Sequence, residues 1–372
     1  MLTGPGLYIH LPWCVKKCPY CDFNSHPLKT DSSFIAYTDA LIKDLQHQLA
    51  PLQGIQFASI FFGGGTPSLF PAELLQKVLA VVPLQTDAEI TMEANPGTTE
   101  YLDFATYRQA GINRLSLGAQ SFSATQLQQL GRIHSPQQVE QAFENARDGG
   151  FQRINLDLMW GLPGQSVEQA LLDLETAIDL SPEHISWYQL TIEAKTEFAR
   201  RPPVLPVEDV LSDIEDAGLA YLQAAGFQRY EISAYAKTPQ ARCRHNLNYW
   251  QFGDYVGAGA GAHGKWSQAV GLERQIWRTS RAASPRAYQA DPITLNKQAI
   301  ERSVLIGEFM LNALRLVDGV SQQHLTDSTG VDWSEVSPTW QRLVDMELVQ
   351  PERCVTTPLG LRYLDSVVAE FI

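Results

Sequence analysis

Cys14, Cys18 and Cys21 stand within eight residues, in the run His-Leu-Pro-Trp-Cys-Val-Lys-Lys-Cys-Pro-Tyr-Cys-Asp-Phe. The spacing is Cys-x3-Cys-x2-Cys, and no fourth cysteine follows nearby. Iron–sulfur clusters are normally held by four thiolates. Three thiolates on a four-iron cluster leave one iron open to a further ligand, and an open iron can do chemistry. A structural zinc site, Cys3His with His10 or His26, is the alternative, although no second cysteine knuckle follows. The second chemical feature is Phe61-Phe62-Gly63-Gly64-Gly65-Thr66-Pro67. Consecutive glycines let a backbone approach a ligand closely and present its N–H and C=O groups.

These residues need strands and turns to hold them. Short apolar runs predict strands at Leu7–His10, Phe57–Phe62, Glu89–Glu93, Arg114–Gly118, Ile154–Trp160 and Ile185–Leu190. Helix patterns lie between them. Ser135 with Gln138, and Ser166 with Gln169, read as capping boxes. Gly111 and Gly149–Gly150 read as helix ends. Strands alternating with helices predict an α/β fold with a parallel sheet, open or curled into a barrel, whose site lies in the loops after the strands. Near residue 200 the pattern changes. One more helix is predicted over Val207–Ala225. The run from Arg242 to Trp250 and a Gly-rich stretch, 253–264, follow. From about Lys297 the chain reads as mainly helical, with a winged-helix-like order at its end. The division is therefore residues 1–235, a connecting segment 236–296, and a helical C-terminal domain 297–372.

The chain has 372 residues and a formal net charge of −13. That balance argues against general affinity for nucleic acid or anionic lipid. Residues 320–372 hold eight acidic residues against three arginines, so the winged-helix order does not read as a DNA-binding module. No apolar run is long enough to span a bilayer, and nothing at the start resembles a signal peptide. The expected location is the cytoplasm. Of the five cysteines, Cys243 and Cys354 are isolated and read as buried thiols.

In combination, the triplet with Tyr20, Gly63–Pro67, Met92-Glu93-Ala94-Asn95-Pro96, Ser116–Phe122 and Asn155–Pro163 resemble the radical S-adenosylmethionine superfamily. More narrowly they resemble the oxygen-independent coproporphyrinogen III oxidase family. The resemblance implies a partial (β/α)6 TIM-type barrel with a smaller, mainly helical C-terminal domain. It implies a [4Fe-4S] cluster on Cys14, Cys18 and Cys21, with S-adenosylmethionine on the open iron. It further places Tyr8 and Tyr20 beside cluster and cofactor. Gly64, Gly65 and Thr66 would cradle the methionyl end and Glu93 would accept bonds from it. Gln120, Arg132 and Asp157 match positions that contact a second S-adenosylmethionine in the oxidase.

Within this family the oxidase itself and an oxidase-like heme chaperone compete. The oxidase continues its motif to a fourth cysteine, where this chain has Phe23, and carries a longer N-terminal arm. His245-Asn246-Leu247-Asn248-Tyr249 matches the His-Asn-x-x-Tyr signature of the chaperone branch. The resemblance thus implies a heme chaperone that lacks the decarboxylase activity, with the oxidase as the alternative. His245 is the expected heme ligand, and imidazole is a common axial donor. His263 and Cys243 are further candidates. Arg242 and Arg244 could pair with heme propionates, and Trp250, Phe252 and Tyr255 could offer flat faces. The implied partners are heme, an acceptor haemoprotein such as a respiratory enzyme, and an electron donor to the cluster. A homodimer is left open.

Overall fold

The computed structural model describes residues 4–30, 32–98, 103–270 and 273–372. Six strands succeed one another in chain and in space: β1 (Gly6–Leu11), β2 (Phe57–Gly64), β3 (Leu84–Ala94), β4 (Arg114–Gln120), β5 (Ile154–Trp160) and β6 (His184–Gln189). Each pairs with the next in parallel. Parallel neighbours need crossovers, and the helices Phe34–Leu49, Ala72–Leu79, Phe104–Gln109, Pro136–Asp148 and Val167–Asp179 supply them. Both expected capping boxes form, at Ser135 with Gln138 and at Ser166 with Gln169.

Strand residues alternate between two environments. Leu7, Ile9, Ile60, Phe62, Leu115, Leu117, Leu156 and Leu158 join the main core with Leu41, Leu75, Val139 and Leu174 from the helices. The intervening residues, among them Tyr8, His10, Phe61, Thr91, Glu93, Ser116, Asn155, Asp157, His184 and Ser186, line a cavity on the other face. This is a partial (β/α)6 barrel with a polar and aromatic interior.

The sheet continues past both of its parallel edges. Beyond β6 it adds β7 (Gln228–Glu231) and β8 (Ala234–Ala236), which form an antiparallel pair with β8 next to β6. Residues 236–299 hold more regular structure than the sequence pattern suggested. The run that carries His245 forms a helix, Arg244–Trp250. The Gly-rich stretch contains β9 (Tyr255–Ala258), which lies parallel to β1. After it come β10 (His263–Val270), β11 (Glu273–Ser280) and β12 (Asn296–Ala299), all antiparallel. The full order of the twelve strands is β12-β11-β10-β9-β1-β2-β3-β4-β5-β6-β8-β7.

From Arg302 onward helices dominate and enclose a second core of Leu305, Phe309, Met310, Leu325, Trp340, Leu343 and Val367. Phe252 and Ile276 belong to it as well, so the helical part grows directly out of the extended sheet edge. No helix among the described residues is long and apolar enough to cross a membrane.

Candidate functional site

The three cysteines occupy the loop between β1 and the first helix. Trp13–Cys14 pairs with His26–Pro27, and the Leu28 N–H donates to the Cys14 carbonyl at 2.8 Å. These bonds close the loop at its base and leave the three thiols on one cavity of about 280 Å³. The same cavity is lined by Tyr20, Gly64, Gly65, Thr66, Glu93, Gln120, Arg132 and Asp157. Tyr8 is placed elsewhere, on the wall of a larger neighbouring cavity, where its hydroxyl donates to His10 Nδ1 at 3.0 Å. His10 gives its other nitrogen to the Asn24 carbonyl at 2.9 Å, and His26 donates to Asn24 Oδ1 at 3.1 Å. Neither histidine joins the thiols. Among the described residues no three His, Cys, Asp or Glu side chains converge closely enough to share a single metal ion.

The donor set suits a larger, negatively charged group. Burial pushes the Cys14 thiol up, so an isolated thiolate there is disfavoured. A cation is in place to offset such charge: Arg132 Nη1 lies 3.7 Å from Cys18 Sγ, while its Nη2 donates to the Gly118 carbonyl at 2.8 Å. Its Nε is buried and, among the described residues, has no hydrogen-bond partner.

The Gly-rich turn works differently from the sequence expectation. Its N–H groups are already engaged within the protein. Gly64 donates to Glu93 Oε2 at 3.1 Å, Gly65 to the Leu11 carbonyl at 2.8 Å, and Thr66 to the Trp13 carbonyl at 2.8 Å. The glycines are required because the turn presses on the strand leading into the cysteine loop. A Cβ on Gly65 would come within 2.5 Å of the Trp13 carbonyl oxygen, and one on Gly64, whose φ is +114°, within 2.4 Å of the His10 ring. The turn therefore locks the cysteine loop in place and leaves carbonyls, rather than N–H groups, for a ligand.

Glu93, near the end of β3, and Asp157, in the middle of β5, line both cavities. Burial, with the Asp157 charge nearby, pushes Glu93 up to about 8, opposed by the bond from Gly64. Asp157 is also raised by burial. It accepts from Ser116 Oγ and Asn155 Nδ2, each at 2.8 Å. Behind it, His184 Nδ1 donates to Asn155 Oδ1 at 2.6 Å and the Tyr230 hydroxyl donates to His184 Nε2 at 2.7 Å. This network fixes the Asp157 carboxylate in one orientation. Gln120, at the irregular end of β4, has a φ of +68° and accepts from the Tyr188 hydroxyl at 2.7 Å. The Ser121-Phe122 turn just beyond is pinned by buried Asp173, which accepts the Ser121 hydroxyl at 2.8 Å and the Phe122 N–H at 2.6 Å.

The larger cavity has a volume of about 710 Å³, within the range of about 300–1,000 Å³ typical of cofactor-sized sites. Aromatic residues furnish much of its wall: Tyr8, Phe23, Phe61, Tyr249, Trp250 and Tyr255. His245 lies on it, buried, with Nδ1 3.2 Å from Ser59 Oγ and Nε2 2.9 Å from the Tyr249 hydroxyl. Burial lowers its pKa to about 3. Cys243 is buried beside it with its thiol pushed up to about 12 by burial, so without a metal it rests as the neutral thiol at neutral pH. The flanking arginines face away to other partners, Arg242 to Asp318 at 3.0 Å and Arg244 to Asp87 at 3.1 Å. Phe252 packs in the second core. His263 is exposed at the wall of the same cavity.

Thr91, Ser116, Asn155, His184 and Ser186 were missed in the sequence reading. Their signal is present there: each is a polar residue at an alternate position in a strand whose other positions are apolar.

A cysteine loop after the first strand of such a barrel, with carboxylates at the mouth, defines the class, and known proteins agree. Residues 8–177 match the Radical SAM superfamily and residues 300–363 the HemN C-terminal domain. The solved coproporphyrinogen III oxidase HemN of Escherichia coli superposes with a TM-score of 0.80 over 99% of this chain and 90% of that one, at 21% identity, a likeness of fold. In sequence, the chain is 49% identical to the heme chaperone HemW of Escherichia coli over 90% of its own length and 88% of the relative's. It is 48% identical to the HemW of Haemophilus influenzae over 89% and 88%. The chain belongs to the HemW heme chaperone family of the radical SAM superfamily.

Proposed function

We propose that this protein binds heme in the larger cavity and delivers it to acceptor haemoproteins such as respiratory enzymes. Beside it we place a [4Fe-4S] cluster on Cys14, Cys18 and Cys21 with S-adenosylmethionine on the open iron. The observation that carries the reading is the junction of the two cavities. Phe23, Gly64, Glu93, Ser116, Asp157 and Ser186 line both, so a planar aromatic ligand in one would lie against the cofactor site in the other. Such a cluster supplies one-electron reduction of the sulfonium bond of S-adenosylmethionine.

In this reading Arg132 offsets negative charge at Cys18, 3.7 Å away, and its free Nε is a donor for the methionyl carboxylate. Glu93 receives the methionyl ammonium, whose charge would draw the carboxyl back to its ionised form. Gly64, Gly65 and Thr66 supply the floor beneath it, and Tyr20 a side wall. Asp157 and Gln120 offer oriented acceptors to the sugar. Tyr8 and His245 belong to the heme wall. The proposed location is the cytoplasm, where free thiols persist and an electron donor can reach the cluster.

The test against oxidase activity is anaerobic. The reconstituted protein is given S-adenosylmethionine, a reductant and coproporphyrinogen III, and propionate decarboxylation is followed. No vinyl product is expected, and sustained turnover would overturn the chaperone reading.

A further inference from the structure

Resting on the reading that the larger cavity takes heme, we infer that His263, rather than the buried His245, supplies the imidazole that binds the heme iron. The two histidines differ in availability. Both ring nitrogens of His245 have hydroxyl partners, Ser59 at 3.2 Å and Tyr249 at 2.9 Å. Its ring is also packed on Phe61, with centroids 5.2 Å apart, and against Tyr249 at 4.7 Å. To reach an iron it must break one of these two bonds. Breaking a buried bond leaves a polar group without water, at a cost of about 1–3 kcal/mol. Iron ligation by His263 carries no such cost. Its ring is exposed and, among the described residues, makes no hydrogen bond, yet it lines the same cavity.

The backbone under His263 is firmly held. It opens β10 opposite Ser280 of β11. The Ala262 N–H donates to the Gly259 carbonyl at 3.0 Å and the Ala262 carbonyl accepts from the Arg281 N–H at 3.0 Å. A free imidazole on a fixed backbone is the arrangement a preorganised ligand needs.

The cysteine loop supplies the companion face. Phe23 lines this cavity and is 61% exposed, a large apolar ring left in water. The next residue, Asn24, donates from Nδ2 to the Ala260 carbonyl and to the Ala283 carbonyl, each at 2.9 Å. Phe23 is thereby tethered to the turn that carries His263. A tetrapyrrole at this mouth would cover the exposed ring while its iron exchanges a bound water for the His263 lone pair. Phe23 then acts as a platform for the macrocycle beside the cluster loop.

The experiment uses the full-length protein loaded with hemin, read by optical absorption and electron paramagnetic resonance. His263→Ala should remove the imidazole signature and weaken binding at least tenfold. His263→Cys should convert the spectrum to a thiolate type, which only a direct ligand can do. His245→Ala should keep the wild-type signature. Wild-type spectra in both His263 variants, or loss of the signature in His245→Ala alone, would overturn the inference while leaving heme binding intact. Failure of the wild-type chain to bind hemin would remove the underlying reading and this assignment with it.

Discussion

Glu93 is buried where the two cavities meet, and burial with the Asp157 charge pushes it up from 4.5 to about 8. A carboxyl with a raised folded-state pKa favours folding while protonated. Its contribution is fully present below about 4.5 and is lost as pH rises through about 8. Ligand-free protein should therefore lose stability over that window, and Glu93→Gln should flatten the loss, each pKa unit being worth ~1.4 kcal/mol. Denaturant midpoints across pH check this, and identical profiles for the two proteins would contradict it. The same variant should bind S-adenosylmethionine at least tenfold more weakly, because an ammonium loses its counter-charge. At this scale much of the site was legible. The cysteines and the Gly63–Pro67 turn are local in sequence and carry their spacing with them. Ser116, Asn155 and His184 meet only through strand pairing, and Arg132 reaches Cys18 across a separation of 114 residues, so their contacts were not. The use of the glycine N–H groups inside the protein was also invisible, since it depends on how closely β2 approaches the cysteine loop.

Elements were read well where their periodicity is strong. The six parallel strands and both capping boxes stand within a few residues of expectation. β9 was missed because Tyr-Val-Gly-Ala is too short and too glycine-rich to signal a strand. It forms because β1 offers an unpaired edge. The Arg244–Trp250 helix was missed because its seven residues, Arg-His-Asn-Leu-Asn-Tyr-Trp, show no clear apolar face and lack a side-chain cap. One packing contact between elements yields a sharp prediction. Gly218 lies in the helix Glu208–Ala224 directly against Trp187 of β6. Replacing an interior helical glycine by alanine ordinarily stabilises by about 1 kcal/mol. Here the added Cβ would fall 2.0 Å from the Trp187 ring. That ring is backed by Trp160, with centroids 5.3 Å apart, and cannot retreat freely. Gly218→Ala should instead destabilise by about 1–3 kcal/mol. A thermal midpoint equal to or above wild type would show that the ring yields.

The whole molecule depends on joining the added strands to the barrel. Asp44, on the first helix, forms a fully buried ion pair with Arg281 just after β11. It also accepts the Tyr288 hydroxyl at 2.8 Å and the Gly259 N–H at 3.3 Å. Three parts of the chain remote in sequence thus meet on one carboxylate. Asp44→Ala would leave the Arg281 guanidinium buried without its counter-charge, a loss of about 3–5 kcal/mol. A change below about 1 kcal/mol would show the junction to be held by packing alone. The same junction positions β9 and β10, and with them His263, at the larger cavity. A second joint lies lower, where His324 Nε2 donates to the Gln251 carbonyl at 2.7 Å. It links the helical C-terminal part to the end of the Arg244–Trp250 helix. The larger cavity, open to the cysteine loop, is the proposed seat of a carried heme. An equilibrium titration of hemin into cluster-reconstituted protein, followed by absorbance with iron and sulfide counted in the same sample, tests that most directly. Saturation at one heme per chain with the cluster retained is the predicted result. Binding that never saturates, or heme uptake that requires loss of the cluster, would contradict it.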